Sequence, residues 1–259
     1  MVSILKADFF RLFKSKSFYI CALVSAVLFG LAIFVLDWSI KVTAAQGFEM
    51  AFPYNDALSY GIVSFMDGTV HMITGIFVAI FVTSEFSHGT MKNVVSKGFS
   101  KVYIYLSKLI AMTVAEYIIV FATFVTGTLC AWIVTKEFGS LSGDFGEYFF
   151  KSIGIELYLS FALIALMLMV SMSIKNMGGS IAINILGVMS LGNILFSLLE
   201  YMVNGKIKFS KFSLIYNISF YTKMGASGSD YIRSLIVGAV FLIVSTVLGI
   251  LIFKKSDVK

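Results

Sequence analysis

Three carboxylates and one histidine stand inside apolar runs of this chain: Asp67, Glu116, Glu156 and His71. An ionisable group near the centre of a membrane helix costs about 2.5 to 3.5 kcal/mol on insertion scales, so each calls for a compensating role. At helical spacing Asp67 shares a face with Ser64, His71 and Thr74, Glu116 falls near Thr113, Thr123 and Gly127, and Glu156 lies between Ser152 and Ser160. Two kinds of chemistry fit these stripes. In one they hydrogen-bond between helices, with Asp67 and Glu156 reaching headgroup water from one or two turns inside the outer surface. In the other, Asp67, His71, Glu116 and Glu156 line an acidic, partly wet pathway for a cationic or amphipathic substrate. Asp67, Glu116 and Glu156 also suit the relay of an ion- or proton-coupled carrier.

The elements that must position these residues are membrane spans. Of 259 residues, 59% are hydrophobic and 13% charged, against roughly 25% charged in an ordinary soluble domain. Six runs suit spanning helices, at 18–36, 64–83, 109–134, 153–170, 178–199 and 234–253. The first is too long for a signal-peptide core and is followed by Asp37 and Trp38, so it reads as an uncleaved span. With both termini inside, the inner segments carry twelve basic residues against Asp8, Glu85 and Asp257, which orients the chain by the positive-inside rule. The net charge of +6 is therefore a matter of membrane topology, with no nucleic acid implied. The outer stretch 200–233 holds enough apolar residues for a short re-entrant or interfacial helix. Cys21 and Cys130 fall in opposite leaflets and cannot bridge each other. The expected fold is an all-α, six-span permease domain in the cell membrane, with residues 1–16 forming an amphipathic helix on the inner leaflet.

In that first helix Leu5, Phe9, Leu12 and Phe13 form the apolar face, with Arg11 and Lys14 opposite and Asp8 toward an edge, three residues from Arg11. Phe10 falls among the charged residues, as a tolerated surface aromatic or as a contact for a cytoplasmic partner. Between the second and third spans, "SEFSHGTMKNVVSKGFSKVYIYLSK" predicts a short helix beginning near Ser84, broken at Gly98 and recapped at Ser100. Tied to spans at both ends, such a helix can transmit a push. Enzyme chemistry finds no support: His71 and His88 do not form a paired metal site, and no phosphate-binding G-x-x-x-x-G-K-[ST] occurs. If ATP drives this protein, another chain binds it.

The string carrying Glu85, Gly89, Thr90, Lys92, Gly98, Ser100, Lys101, Ser107 and Lys108 resembles the segment that follows the second span in ABC type-2 exporter permeases. The span pattern extends that resemblance over essentially the whole chain. The resemblance implies that residues 84–101 form a coupling helix docking on a separate cytoplasmic ATPase subunit. Glu85, Gly89, Thr90, Lys92 and Asn93 would lie at or beside the contact, and Phe10 and Arg11 nearby. It further implies a second permease subunit, and ATP and Mg on the ATPase with no cofactor on this chain. Within the family the likeness is nearest to small permeases that export antimicrobial or amphipathic peptides or confer immunity to them.

Overall fold

The computed structural model describes residues 2–45, 56–141, 143–203, 207–220 and 227–257, with the side chains of 189–193 and 220 left aside. Every regular element among the described residues is helical. A first helix α1 (Val2–Lys14) joins α2 (Lys16–Ala45) through Ser15. Then follow α3 (Ala57–Phe65), α4 (Gly68–Ser87), the short α5 (Thr90–Ser96), α6 (Lys101–Thr135) and α7 (Asp144–Ile174). Next, α8 (Met177–Ala182) runs through a π-helical stretch, Ile183–Leu191, into α9 (Gly192–Met202). A 3-10 turn (Phe209–Phe212), α10 (Leu214–Phe220) and α11 (Gly228–Lys255) complete the order.

Five segments are long and apolar enough to cross a membrane: α2, the pair α3 and α4, α6, α7 and α11. The chain is thus a membrane-embedded helical protein. The run expected as a fifth span, 178–199, is helical but irregular, its α-helical ends separated by the π-helical stretch. Asn184 at the start of that stretch donates to Gly75 O at 3.0 Å and to Ser171 Oγ at 3.3 Å, tying it to α4 and α7. Part of the outer stretch 200–233 does form short helices. There Leu214, Asn217 and Ile218 are buried, and Asn217 Oδ1 accepts from Ser234 Oγ at 2.8 Å on α11. Residues 204–206 and 221–226 of that stretch lie outside the described residues.

The second span differs from its expectation in an instructive way. Instead of one helix over 64–83, there are two, broken at Met66 and Asp67. The Asp67 carboxylate accepts the Thr69 N–H at 2.6 Å and caps α4. A short polar side chain that satisfies a free N–H in this way starts a helix rather than continuing one. The helices also overrun the apolar runs from which spans were counted. Because α3 starts at Ala57 and α7 at Asp144, Asp67 and Glu156 lie about 15 and about 18 Å along their segments at 1.5 Å per residue. Both therefore lie further inside their helices than the apolar runs alone placed them.

At one end of the bundle, Ala57 N donates to Glu137 O at 3.0 Å and Leu58 N to Phe138 O at 3.2 Å, fastening α3 to the loop after α6. At the other, Lys101 Nζ donates to Lys254 O at 3.0 Å and Ser256 O at 2.8 Å, and Lys175 Nζ to Asp257 O at 2.8 Å. The end of α11 thus lies with α5, the start of α6 and α1 on one lysine-rich face, here called the basic end. Cys21 and Cys130 are both free thiols.

Close helix contact depends on small residues where lipid supplies no hydrophobic drive between helices. Gly249 on α11 faces the buried ring of Tyr105 on α6, and a Cβ there would stand 2.2 Å from its hydroxyl. Gly249→Val is expected to force α11 from α6 and cost about 1 to 3 kcal/mol, read as a lower thermal transition in detergent. Combining it with Tyr105→Phe should recover part of the loss.

Candidate functional site

Two clusters of ionisable side chains are buried, at different depths. At the basic end, α1, α4 and α6 meet around Lys108, which is only 2% exposed. Its ammonium donates to Asp8 Oδ1 at 3.0 Å and to Glu85 Oε1 at 2.6 Å. Ser107 Oγ donates to the other Asp8 oxygen at 2.6 Å. Arg11 ion-pairs with Glu85, donates to Phe81 O at 2.6 Å and lies 3.7 Å over the Phe81 ring. Two cations and two carboxylates balance, and each charge has a direct partner. Burial pulls the Arg11 guanidinium down to about 10 while the Asp8 charge opposes the shift, so Arg11 remains cationic at neutral pH.

This arrangement corrects the reading of α1. Asp8, placed at an edge by the periodicity, is buried together with Ile4 and Leu12, while Phe13 is exposed. Asp8 turns inward because Lys108 and Ser107 each offer it a donor that is itself buried. Arg11 does not bond Asp8 three residues away but reaches across to α4. Phe10 stays outside, 63% exposed, with the Lys14 ammonium 4.4 Å from its ring centroid. The cluster forms one wall of a cleft of about 320 Å³ between α1, α5 and α6, lined also by Ala7, Thr90, Val94, Lys97 and Phe99.

The segment expected to be a single coupling helix from Ser84 is divided. α4 runs on to Ser87, Gly89 turns the chain at φ +67°, and α5 occupies Thr90–Ser96 before Gly98 turns it again at φ +82°. A left-handed residue is cheap only as glycine. A Cβ at Gly89 would meet nothing within 4 Å, so within this chain the glycine serves the backbone turn and not close packing. Met91 is fully buried and pins α5, whereas Thr90, Lys92 and Asn93 are exposed, with the Thr90 hydroxyl donating to Glu85 O at 3.2 Å. Glu85 itself is turned inward, 6% exposed and engaged by Lys108 and Arg11. Of the residues expected at a partner contact, Thr90, Lys92, Asn93 and Phe10 face outward, while Glu85 and most of Arg11 are held within the chain.

The second cluster lies near the midpoints of three spans. His71 on α4 has Nδ1 at 2.5 Å from Glu116 Oε1 on α6 and Nε2 at 2.9 Å from Glu156 Oε1 on α7. The first contact is a hydrogen bond; the second is at ion-pair distance but bent off the ring N–H direction. All three side chains are 0 to 1% exposed. The structure thus brings together three of the four residues of the candidate pathway and leaves Asp67 out. Asp67 is half-buried on the α2 side, at the edge of a cavity of about 70 Å³ lined by Ser25, Phe29 and Val70. Sequence reasoning set His71 on one face with Asp67 and did not pair it with Glu116 or Glu156, because those partners lie on different spans. Lys108 and Asp8 were missed as a buried pair for the same reason, although Asp8 and Glu85 stand out in sequence as two of only three acids in the inner segments.

The fold and these clusters define a membrane-embedded helical bundle with a balanced ion cluster at its basic end and an acidic trio at mid-span. Over residues 18–259 the chain matches the family described as Protein of unknown function (DUF2705), and it belongs to that family. No curated protein matches it.

A buried ion pair broken on one side costs about 3 to 5 kcal/mol. Lys108→Ala should therefore destabilise the protein by that order in detergent unfolding, while Lys92→Ala, at an exposed position, should change stability by less than about 0.5 kcal/mol.

Proposed function

We propose that the chain is the membrane subunit of an ABC type-2 exporter, working as a pair of permease subunits with two cytoplasmic ATPase subunits. The observation that carries this reading is α5: a helix of seven residues between two left-handed glycines, anchored by Met91, with Lys92 and Asn93 presented to solvent. It lies on the lysine-rich face, which the positive-inside rule places in the cytoplasm together with both termini. Counting the irregular segment 177–202 as a crossing gives six spans.

In this reading, closure of the ATPase subunits displaces α5. The displacement passes to α4 and α6, to which α5 is joined, and to α1 through the Asp8, Lys108, Glu85 and Arg11 cluster. It biases the spans between inward-open and outward-open arrangements. ATP and Mg belong to the ATPase. The proposed cargo is an amphipathic or antimicrobial peptide, the class suggested by the resemblance, with mid-span acidity suited to a cationic one.

A second reading, a carrier driven by a proton or ion gradient without an ATPase, is favoured by one observation: His71 held between Glu116 and Glu156 at mid-span. Transport by this chain alone in vesicles, under a gradient and without ATP, distinguishes it.

The first reading expects a P-loop ATPase in a neighbouring reading frame; the chain is co-expressed with it, and assembly and ATP hydrolysis are measured in lipid. Lys92→Glu sets a like charge against any acid-complementary surface built on that partner and is expected to lower capture by about tenfold or more. Gly89→Trp should uncouple hydrolysis from cargo. Unchanged assembly and unchanged stimulated hydrolysis in both variants would overturn the assignment.

A further inference from the structure

His71, Glu116 and Glu156 are used by neither the coupling contact nor the fold in any way that requires three ionisable groups. Asparagine or serine would hydrogen-bond three helices together without bringing charge into the centre of a membrane. A neutral imidazole has one N–H donor and one acceptor nitrogen, and an ionised carboxylate only accepts. With carboxylate oxygens facing both ring nitrogens, each contact is attractive only if a proton lies in it, either on the imidazole or on the carboxyl. Two protons make both contacts attractive, the Glu116 one as a hydrogen bond and the Glu156 one as an ion pair, and leave the trio with one net negative charge. The outer oxygens Glu116 Oε2 and Glu156 Oε2 have no hydrogen-bond partner among the described residues. A third proton on either one makes the trio neutral.

The ionisable groups on the surrounding elements are committed elsewhere. On α4, Asp67 caps its own helix. Tyr117 of α6 donates to Leu157 O at 2.7 Å, and Tyr158 of α7 to Leu235 O at 2.9 Å. On α2, Asp37 and Lys41 pair with each other, and on α11 Asp230 pairs with Arg233. From the π-helical stretch Asn184 bonds Gly75 O, one turn from His71, and on α10 Asn217 bonds Ser234; neither carries charge. Lys108 and Arg11 belong to the balanced cluster at the basic end. No described cation is within ion-pair reach of the two outer oxygens.

We propose that His71, Glu116 and Glu156 form a mid-membrane proton-binding site that takes up and releases one proton at the outer carboxylate oxygens, passing between a singly negative and a neutral state. The bond formed on loading is a carboxyl O–H at Glu116 or Glu156, and the bond broken is an O–H of a hydronium ion, which leaves as water. The inference rests on neither an ATPase nor a gradient as the energy source, and its readout is not transport.

The chain contains only two histidines, so isotope-labelled histidine reports this site directly by nitrogen NMR of the full protein in lipid nanodiscs. His88 is exposed and serves as the internal control. Over the pH range in which the protein stays folded, His71 is expected to show two states whose ratio changes about tenfold per pH unit, as for a single proton, independently of the His88 signal. Glu116→Gln and Glu156→Gln keep the shape and remove the ionisable group, and each should abolish the step while the protein stays monodisperse. A His71 signal that is constant with pH, or that follows His88, would overturn the proposal. So would a step that survives both variants, or one that disappears when sodium is replaced by an organic cation, which would make the ligand a metal ion. If neither variant folds, the wild-type titration and the sodium replacement still decide.

Discussion

Lys108 is the residue around which the basic end of this protein is organised. An ammonium group removed from water needs carboxylates at contact distance and hydrogen bonds for its remaining protons. Here Asp8 arrives from α1 and Glu85 from α4, while Lys108 itself stands on α6. Those three elements are otherwise apolar where they meet and could slide past one another without large loss. The charges fix their register, since a shift of one residue on any of them would strand a buried ion. Arg11 extends the arrangement, covering Glu85 and the Phe81 ring at the rim where water begins. Because α5 hangs between α4 and α6, the same cluster also sets where Lys92 and Asn93 are displayed.

The mid-span trio follows the same electrostatic rule to a different result. At the basic end the charges balance and the solvated rim is close. Between Glu116, His71 and Glu156 the carboxylates outnumber the imidazole, and the site is sealed. The break between α3 and α4 belongs to this region. By capping α4, Asp67 starts a new helix only one turn before His71, and a span in two pieces can change the angle between its halves without melting either. The bundle thus holds a cluster fixed by charge at its basic end and an interrupted span away from it.

Most of the architecture is legible in the order of residues. The long apolar runs, the lysine-rich segments and the separate amphipathic first helix all reappear, because each follows from local composition and helical period. The turn at Gly98 and the Ser100 start of α6 were likewise readable as glycine and cap signals. The turn at Gly89 was not, since a glycine after a continuous helical pattern is compatible with either packing or reversal. The overruns of α3 and α7 beyond their apolar cores were also hidden, and with them how far Asp67 and Glu156 lie from the starts of their helical segments. Polar residues at a membrane surface prolong a helix as readily as they end it.

By itself, the sequence determined that the chain is helical, embedded in a membrane and basic at one end, and that a few ionisable groups must lie in its apolar interior. It could not say which of those groups meet. Asp8 and Lys108 are a hundred residues apart, and His71 finds Glu116 and Glu156 on two other spans. Hydrophobic burial is nearly indifferent to partner, so periodicity reveals a face without naming what covers it. Pairing of buried charge is specific to a few tenths of an ångström, and only the tertiary structure, by choosing helix neighbours and their register, decided it.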